Sequence, residues 1–207
     1  KAKGLEENTI LIFASDHGEM LGSHDKKPFT KQIFWDESCR VPYLLRYPPF
    51  TSEYQNRKVM TPLGMVDIMP TLLGLCELEI PDTVEGSDLS ICVRNPVELE
   101  DHVALYMSVS PFSERNYLDA AYRAIRTNRY TFVRTSDGEY YLFDDVEDPY
   151  QLNNLVGTPE LADVQKDLEQ ELSKQLEKIG DPFKKKEYYL EKWEYEVGDF
   201  GDVPYSR

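Results

Sequence analysis

Ser15-Asp16-His17-Gly18 follows at once on an apolar run, residues 9–14 (TILIFA), and Lys31 comes one loop later. A carboxylate offers a hard oxygen and an imidazole a nitrogen, and Gly18 lets the backbone turn sharply beside them. A metal cation gripped by a carboxylate, with an ammonium beside it, is what a tetrahedral oxyanion such as sulfate or phosphate requires. The metal polarises one oxygen, and the ammonium neutralises another as charge builds on the leaving group. Each residue also has an ordinary use: a strand-end Asp commonly caps a turn, and a surface Lys is commonly a solvated charge. The combination carries the suggestion, not any one member.

Strands and helices must position these groups. Residues 9–14 are apolar without alternation, which predicts a strand covered on both faces, as in a mixed sheet flanked by helices. A central strand is not expected to open a free-standing domain, so the pattern predicts further chain upstream. Residues 29–38 predict a short helix with Lys31 near its start, and residues 41–47 (VPYLLRY) a second strand ended by Pro48-Pro49. Asp67 is a candidate N-cap that would put Pro70 in the first turn, with Met69, Leu72, Leu73 and Cys76 on one apolar face. Residues 81–96 are loop-like.

From Val103 the pattern changes to short strands, ALYMSV, YRAIRT, YTFVRT and YYLFDD, with Ser136-Asp137-Gly138 as a hairpin signal between the last two. A long helix follows. Thr158 caps it, Pro159 opens it, Leu161, Val164, Leu168, Leu172, Leu176 and Ile179 form its stripe, and Gly180 ends it. The tail, residues 183–207, is rich in Tyr, Trp and Glu without a period. It predicts a surface-wrapping extension, with a flap or subunit contact as the other reading. The expected organisation is an α/β portion over residues 1–100, a small α+β subdomain (antiparallel meander plus one long helix) over 101–182, and an extension over 183–207.

At 207 residues and 41% hydrophobic, the chain can bury a core. Its formal net charge of −15 argues against a nucleic-acid partner, which needs a basic footprint. An anionic substrate is not excluded, because a bound cation and a lysine reverse the field locally. Cys39, Cys76 and Cys92 fit neither a disulfide framework nor a zinc site, and are expected to be buried small apolar residues. Unpaired cysteines lean toward a reducing compartment, and localisation stays open between periplasmic or secreted and cytoplasmic. No run of residues is long and apolar enough for a membrane span.

The segments SDHGEMLGSH, KQIFWDESCRVPYLLRYP, MVDIMPTLLGLCEL, EGSDLS, YRAIRTNRYTFVR and YYLFDDVEDPYQLNNLVGTPE occur in that order. Together they resemble the C-terminal signature of the type I sulfatases of the alkaline phosphatase superfamily, over residues 9–181. The resemblance implies a sulfatase-type mixed sheet flanked by helices. It also implies that Asp16 and His17 are ligands of the active-site metal, usually Ca2+, and that Lys31 contacts the sulfate. His24 matches a position near the pocket and is held as a substrate-side contact, or a loop histidine that only packs. An imidazole is a softer donor than calcium prefers, so Mn2+ or Zn2+ stays open.

The family nucleophile is formylglycine, made from the Cys or Ser of a C/S-x-P-x-R motif. No Cys or Ser in these 207 residues has the required Pro and Arg. The expectation is therefore that the chain is the C-terminal part of a sulfatase, inactive alone, whose missing N-terminal half brings formylglycine and the other metal ligands. The implied partners are a sulfated small molecule or glycan and that N-terminal half, with a homo-oligomer left open. Two alternatives remain: a phosphonate monoester or phosphodiester hydrolase of the same superfamily, and a non-catalytic, truncated binding module.

Overall fold

The computed structural model describes residues 3–26, 31–49, 56–109, 121–196 and 198. In chain order its elements are β1 (Leu11–Ala14), α1 (Asp36–Cys39), β2 (Tyr43–Arg46), α2 (Met65–Leu75), α3 (Ser90–Arg94), β3 (Ala104–Ser108), β4 (Tyr122–Arg126), β5 (Tyr130–Thr135), β6 (Tyr140–Asp144), α4 (Ala162–Lys178) and α5 (Lys186–Lys192). The chain groups into two compact units, each discontinuous: Lys1–Ser15 with Pro42–Ala104, and Asp16–Val41 with Leu105–Arg207. This differs from the expected linear division at residue 100, because residues 16–41 complete the core of the later unit.

In the first unit, β1 and β2 pair antiparallel, with Phe13 opposite Leu44. The apolar run was expected to be covered on both faces, but Leu11 and Phe13 are each more than 60% exposed. Among the described residues β1 pairs with β2 alone, and a two-stranded ribbon buries little by itself. The helix α2 is capped by Gly64, not by Asp67 as expected; Asp67 is the third helical residue. Its carboxylate accepts from the Gly64 and Ser87 N–H groups, both at 2.8 Å, and so ties the helix start to a distant loop. Pro70 therefore lies inside the helix, where it cannot donate to the Val66 carbonyl one turn back. Gly86 packs against that carbonyl so closely that a Cβ would come within 2.0 Å of it.

The second unit is built on a four-stranded sheet in the order β3-β4-β5-β6, with β4-β5 and β5-β6 antiparallel. Three or four strands were expected there, and Gly138 takes the positive φ that the Ser136-Asp137-Gly138 turn needs. One sheet face carries Tyr122, Ala124, Val133 and Phe143, which pack with Met20, Ile33, Phe34 and Trp35. The other face carries Ile125, Phe132 and Leu142, all fully buried. The helix α4 packs on β4 and β5 and buries Leu168, Leu172 and Leu176, the centre of the predicted stripe. Each such side chain stabilises by about 1.5–3 kcal/mol. The helix ends as foreseen: Gly180 has φ 67°, its N–H donates to Glu177 O, and the Asp181 N–H reaches back to Leu176 O at 2.9 Å.

The helix expected over residues 29–38 shrinks to α1. Residues 29 and 30 lie outside the described residues, and Ile33, Phe34 and Trp35 are all buried in succession. Three consecutive buried residues do not fit one helical face, and the chain takes bends there instead. The described part of the tail is more structured than expected. The Tyr189 hydroxyl of α5 donates to Asp181 at 2.7 Å, and Asp181 also pairs with fully buried Arg123. Arg123 and Arg134 are cross-strand partners, and the Phe183 ring lies 4.7 and 5.0 Å from their guanidinium carbons. Facing like charges would repel; Asp181 and the ring face offset them. Of the cysteines, Cys92 is buried as expected, while Cys39 and Cys76 are exposed. The sulfur of Cys39 nonetheless turns inward to donate to Ile33 O, and burial pushes its thiol up to about 12.

Candidate functional site

Two apolar anchors bracket the residues singled out by type and spacing. Met20, fully buried, fixes the chain just after Asp16-His17-Gly18-Glu19, and Ile33-Phe34-Trp35 fix it just after Lys31. Between them the Gly18 N–H donates to Ser38 O at 2.8 Å. A Cβ on Gly18 would lie 1.9 Å from Glu37 O, so only glycine lets these two backbones approach. Docking the two anchors on the same sheet face brings His17 and Lys31 together.

His17 Nδ1 is 2.8 Å from Gly18 O. A carbonyl oxygen can only accept, so Nδ1 carries the proton and Nε2 presents its lone pair. That Nε2 lies 3.1 Å from Lys31 Nζ and 3.5 Å from Asp16 Oδ2. The backbone N–H of His17 donates to Asp16 Oδ1 at 3.0 Å, which folds the carboxylate back over its neighbour. Lys31 Nζ also stands 3.6 Å from Glu19 Oε1. Asp16, His17 and Lys31 thus share one small patch.

His24 makes different contacts. Its ring stacks on Trp35 with centroids 4.6 Å apart and 16° between planes, and its Nε2 is 3.4 Å from Glu37 Oε2. The loop that carries it runs through Leu21, Gly22, His24 and Asp25 with positive φ, a strained path for three non-glycine residues. The stack and the Glu37 contact brace that path. Glu19 and Trp35 are the neighbours that sequence reasoning missed. Glu19 stands next to Gly18 in the motif, but a lone charge gives no sign of which way it points.

A family-implied metal can be tested against these groups. An imidazole that donates Nδ1–H to a backbone carbonyl and offers Nε2 has the tautomer and orientation of a metal ligand. With the Asp16 carboxylate alongside, two donors fit. Two donors alone do not make a coordination sphere: among the described residues no group of three or more His, Cys, Asp or Glu side chains is arranged to hold an ion. Calcium takes roughly six to eight oxygens, so further donors would have to join these two.

The fold and this patch define a sulfatase-type C-terminal region. Residues 22–178 match the family of N-sulphoglucosamine sulphohydrolase, C-terminal, and the chain belongs to that family. It is 49% identical to an ulvan-active sulfatase from Formosa agariphila over 95% of its own length and 38% of the relative's. It is 35% identical to an endo-4-O-sulfatase from Bacteroides thetaiotaomicron over 88% and 38%. The structure of BT4656 in complex with its substrate D-glucosamine-2-N,6-O-disulfate is similar at TM-score 0.76 and 27% identity, over 87% of this chain and 36% of that one. The phosphonate monoester hydrolase of Agrobacterium radiobacter shares the fold at TM-score 0.63 and 23% identity. The chain therefore spans less than two fifths of the length of the sulfatases it matches in sequence. Among the described residues, no helix is long and apolar enough to cross a membrane.

Proposed function

We propose that the chain is the C-terminal part of a sulfuric ester hydrolase, in which Asp16 and His17 help hold a divalent cation and Lys31 grips the sulfate group. The observation that supports this is that Lys31 Nζ and Asp16 Oδ2 lie 3.1 and 3.5 Å from one atom, His17 Nε2; an ion held there would take the Nε2 lone pair and release the ammonium to the same anion. When bound, the cation would supply Lewis-acid polarisation of a sulfate oxygen. Lys31 brings a positive charge to an otherwise acidic chain and offers N–H donors to a second oxygen as negative charge develops. Asp16 and His17 contribute two donors toward the ion, and Gly18 keeps their backbone pressed against residues 37–38. Calcium is the expected ion; the His17 nitrogen keeps Mn2+ and Zn2+ as alternatives. The formylglycine nucleophile has no precursor motif in this chain, so the attacking step is not among the tasks of these residues.

Relatives that act on ulvan and on D-glucosamine-2-N,6-O-disulfate favour a sulfated sugar as substrate. The second reading, phosphonate monoester or phosphodiester hydrolysis, draws on the His17 donor and the shared fold. The test is to assay the full-length protein, loaded in turn with Ca2+, Mn2+ and Zn2+, on paired nitrophenyl sulfate and phosphate esters. Preferential sulfate-ester cleavage with Ca2+ supports the proposal. Preferential phosphate-ester cleavage with Mn2+ or Zn2+ supports the second reading. Metal binding without cleavage of either would make this a binding module.

A further inference from the structure

We propose that Glu19 is a positioning residue that aims the Lys31 ammonium; this rests on the reading of Lys31 as the sulfate contact. An ammonium carries three N–H donors on a long flexible stem, so its charge is useful only if its direction is set. Lys31 Nζ lies 3.1 Å from His17 Nε2, and Glu19 Oε1 draws it from 3.6 Å. An ion on His17 Nε2 would take the lone pair that Lys31 faces, which leaves the Glu19 carboxylate as the group that draws the ammonium to one side.

Glu19 is itself held firmly. Met20, next in the chain, is fully buried, and Gly18, just before it, is locked to Ser38. One carboxylate oxygen, Oε2, is buried without a hydrogen-bond partner among the described residues. A buried carboxylate oxygen left unsatisfied is costly and calls for an explanation. Holding Oε1 toward Lys31 explains it, because the side chain serves the lysine's orientation and not its own hydrogen bonding.

The role has a signature that simple structural damage lacks. The negative charge of Glu19 opposes anion binding, while its grip on Lys31 favours catalysis. Removing the charge should separate the two. In the full-length protein, Glu19→Gln is expected to lower kcat about tenfold. KM for a sulfate ester should stay unchanged or fall, with metal content and melting temperature as in wild type. Glu19→Asp should recover part of the loss. In a Lys31→Ala background Glu19→Gln should cost nothing further, because the residue it aims is gone.

Wild-type kcat in Glu19→Gln, while Lys31→Ala is crippled, would overturn the positioning role alone. Equal losses in both backgrounds, or a lowered melting temperature with kcat and KM damaged together, would also overturn it. Wild-type turnover in Lys31→Ala by itself would instead remove the reading of Lys31 on which the role rests.

Discussion

Lys31 Nζ stands 3.1 Å from Nε2 of His17, a residue fourteen positions earlier in the chain. The contact joins two loops that have no secondary structure in common, and it exists because Met20 and Ile33-Phe34-Trp35 enter the same core. If that ammonium meets the sulfate, Lys31→Ala in the full-length protein should lower kcat by about a hundredfold or more, the scale of removing one oxyanion donor. Turnover near wild type would refute the contact. Lys31→Arg should not restore full activity, since a planar fork cannot reproduce the position of a compact ammonium.

Asp16 and His17 are expected to be ion ligands. Asp16→Ala and His17→Ala in the full-length protein should each lower metal stoichiometry, or weaken metal affinity at least tenfold, read by elemental analysis after dialysis. An unchanged metal content in both would contradict the assignment. His24→Ala should leave metal content alone and act through lost stacking on Trp35, read as a lower melting temperature.

Gly18 is fixed by contact rather than by conformation. Gly18→Ala would drive a Cβ into the Glu37 carbonyl, so the two backbone segments must separate. Overpacking of this kind costs about 1–3 kcal/mol. The variant should melt several degrees lower and lose metal affinity along with stability. An unchanged melting temperature would mean the close approach is not kept in solution.

Asp181 gives an acid limb to stability. Burial pushes its carboxyl up, but the Arg123 guanidinium, the Tyr189 hydroxyl and the Phe183 N–H outweigh this and hold it below its ordinary value of 3.8. A folded value below the unfolded one means that the stabilisation is complete above about pH 4 and is lost as pH falls through the folded value. Asp181→Asn should therefore melt lower than wild type at neutral pH, with the gap closing toward pH 2. A gap that does not depend on pH would argue that shape, not charge, makes the contact.

Much of the second unit was legible because it is local. The four short strands, the Gly138 turn and the α4 stripe with its Gly180 stop all follow from spacing of residues near one another in the chain. The first unit was less so. Residues 9–14 have the composition of a strand buried on both faces, yet composition does not say what covers it, and among the described residues only β2 pairs with it. Asp67 has the chemistry of a cap and does bond the Gly64 N–H from the third helical position; its other partner, Ser87, lies 20 residues away and is set by tertiary packing. For the site, Asp16, His17 and Lys31 were found by type, and their meeting depends on the shared core. Glu19 escaped because its meaning lies in its 3.6 Å distance to Lys31, which no spacing rule yields.

The decisive measurement for a shared grip of ion and Lys31 on sulfate is binding of inorganic sulfate to the metal-loaded, full-length protein, followed calorimetrically for wild type and Lys31→Ala. The prediction is that wild type binds sulfate only with metal present, and that Lys31→Ala weakens this at least tenfold at unchanged metal content. Equal sulfate affinity in the two proteins, or binding that ignores the metal, would contradict it.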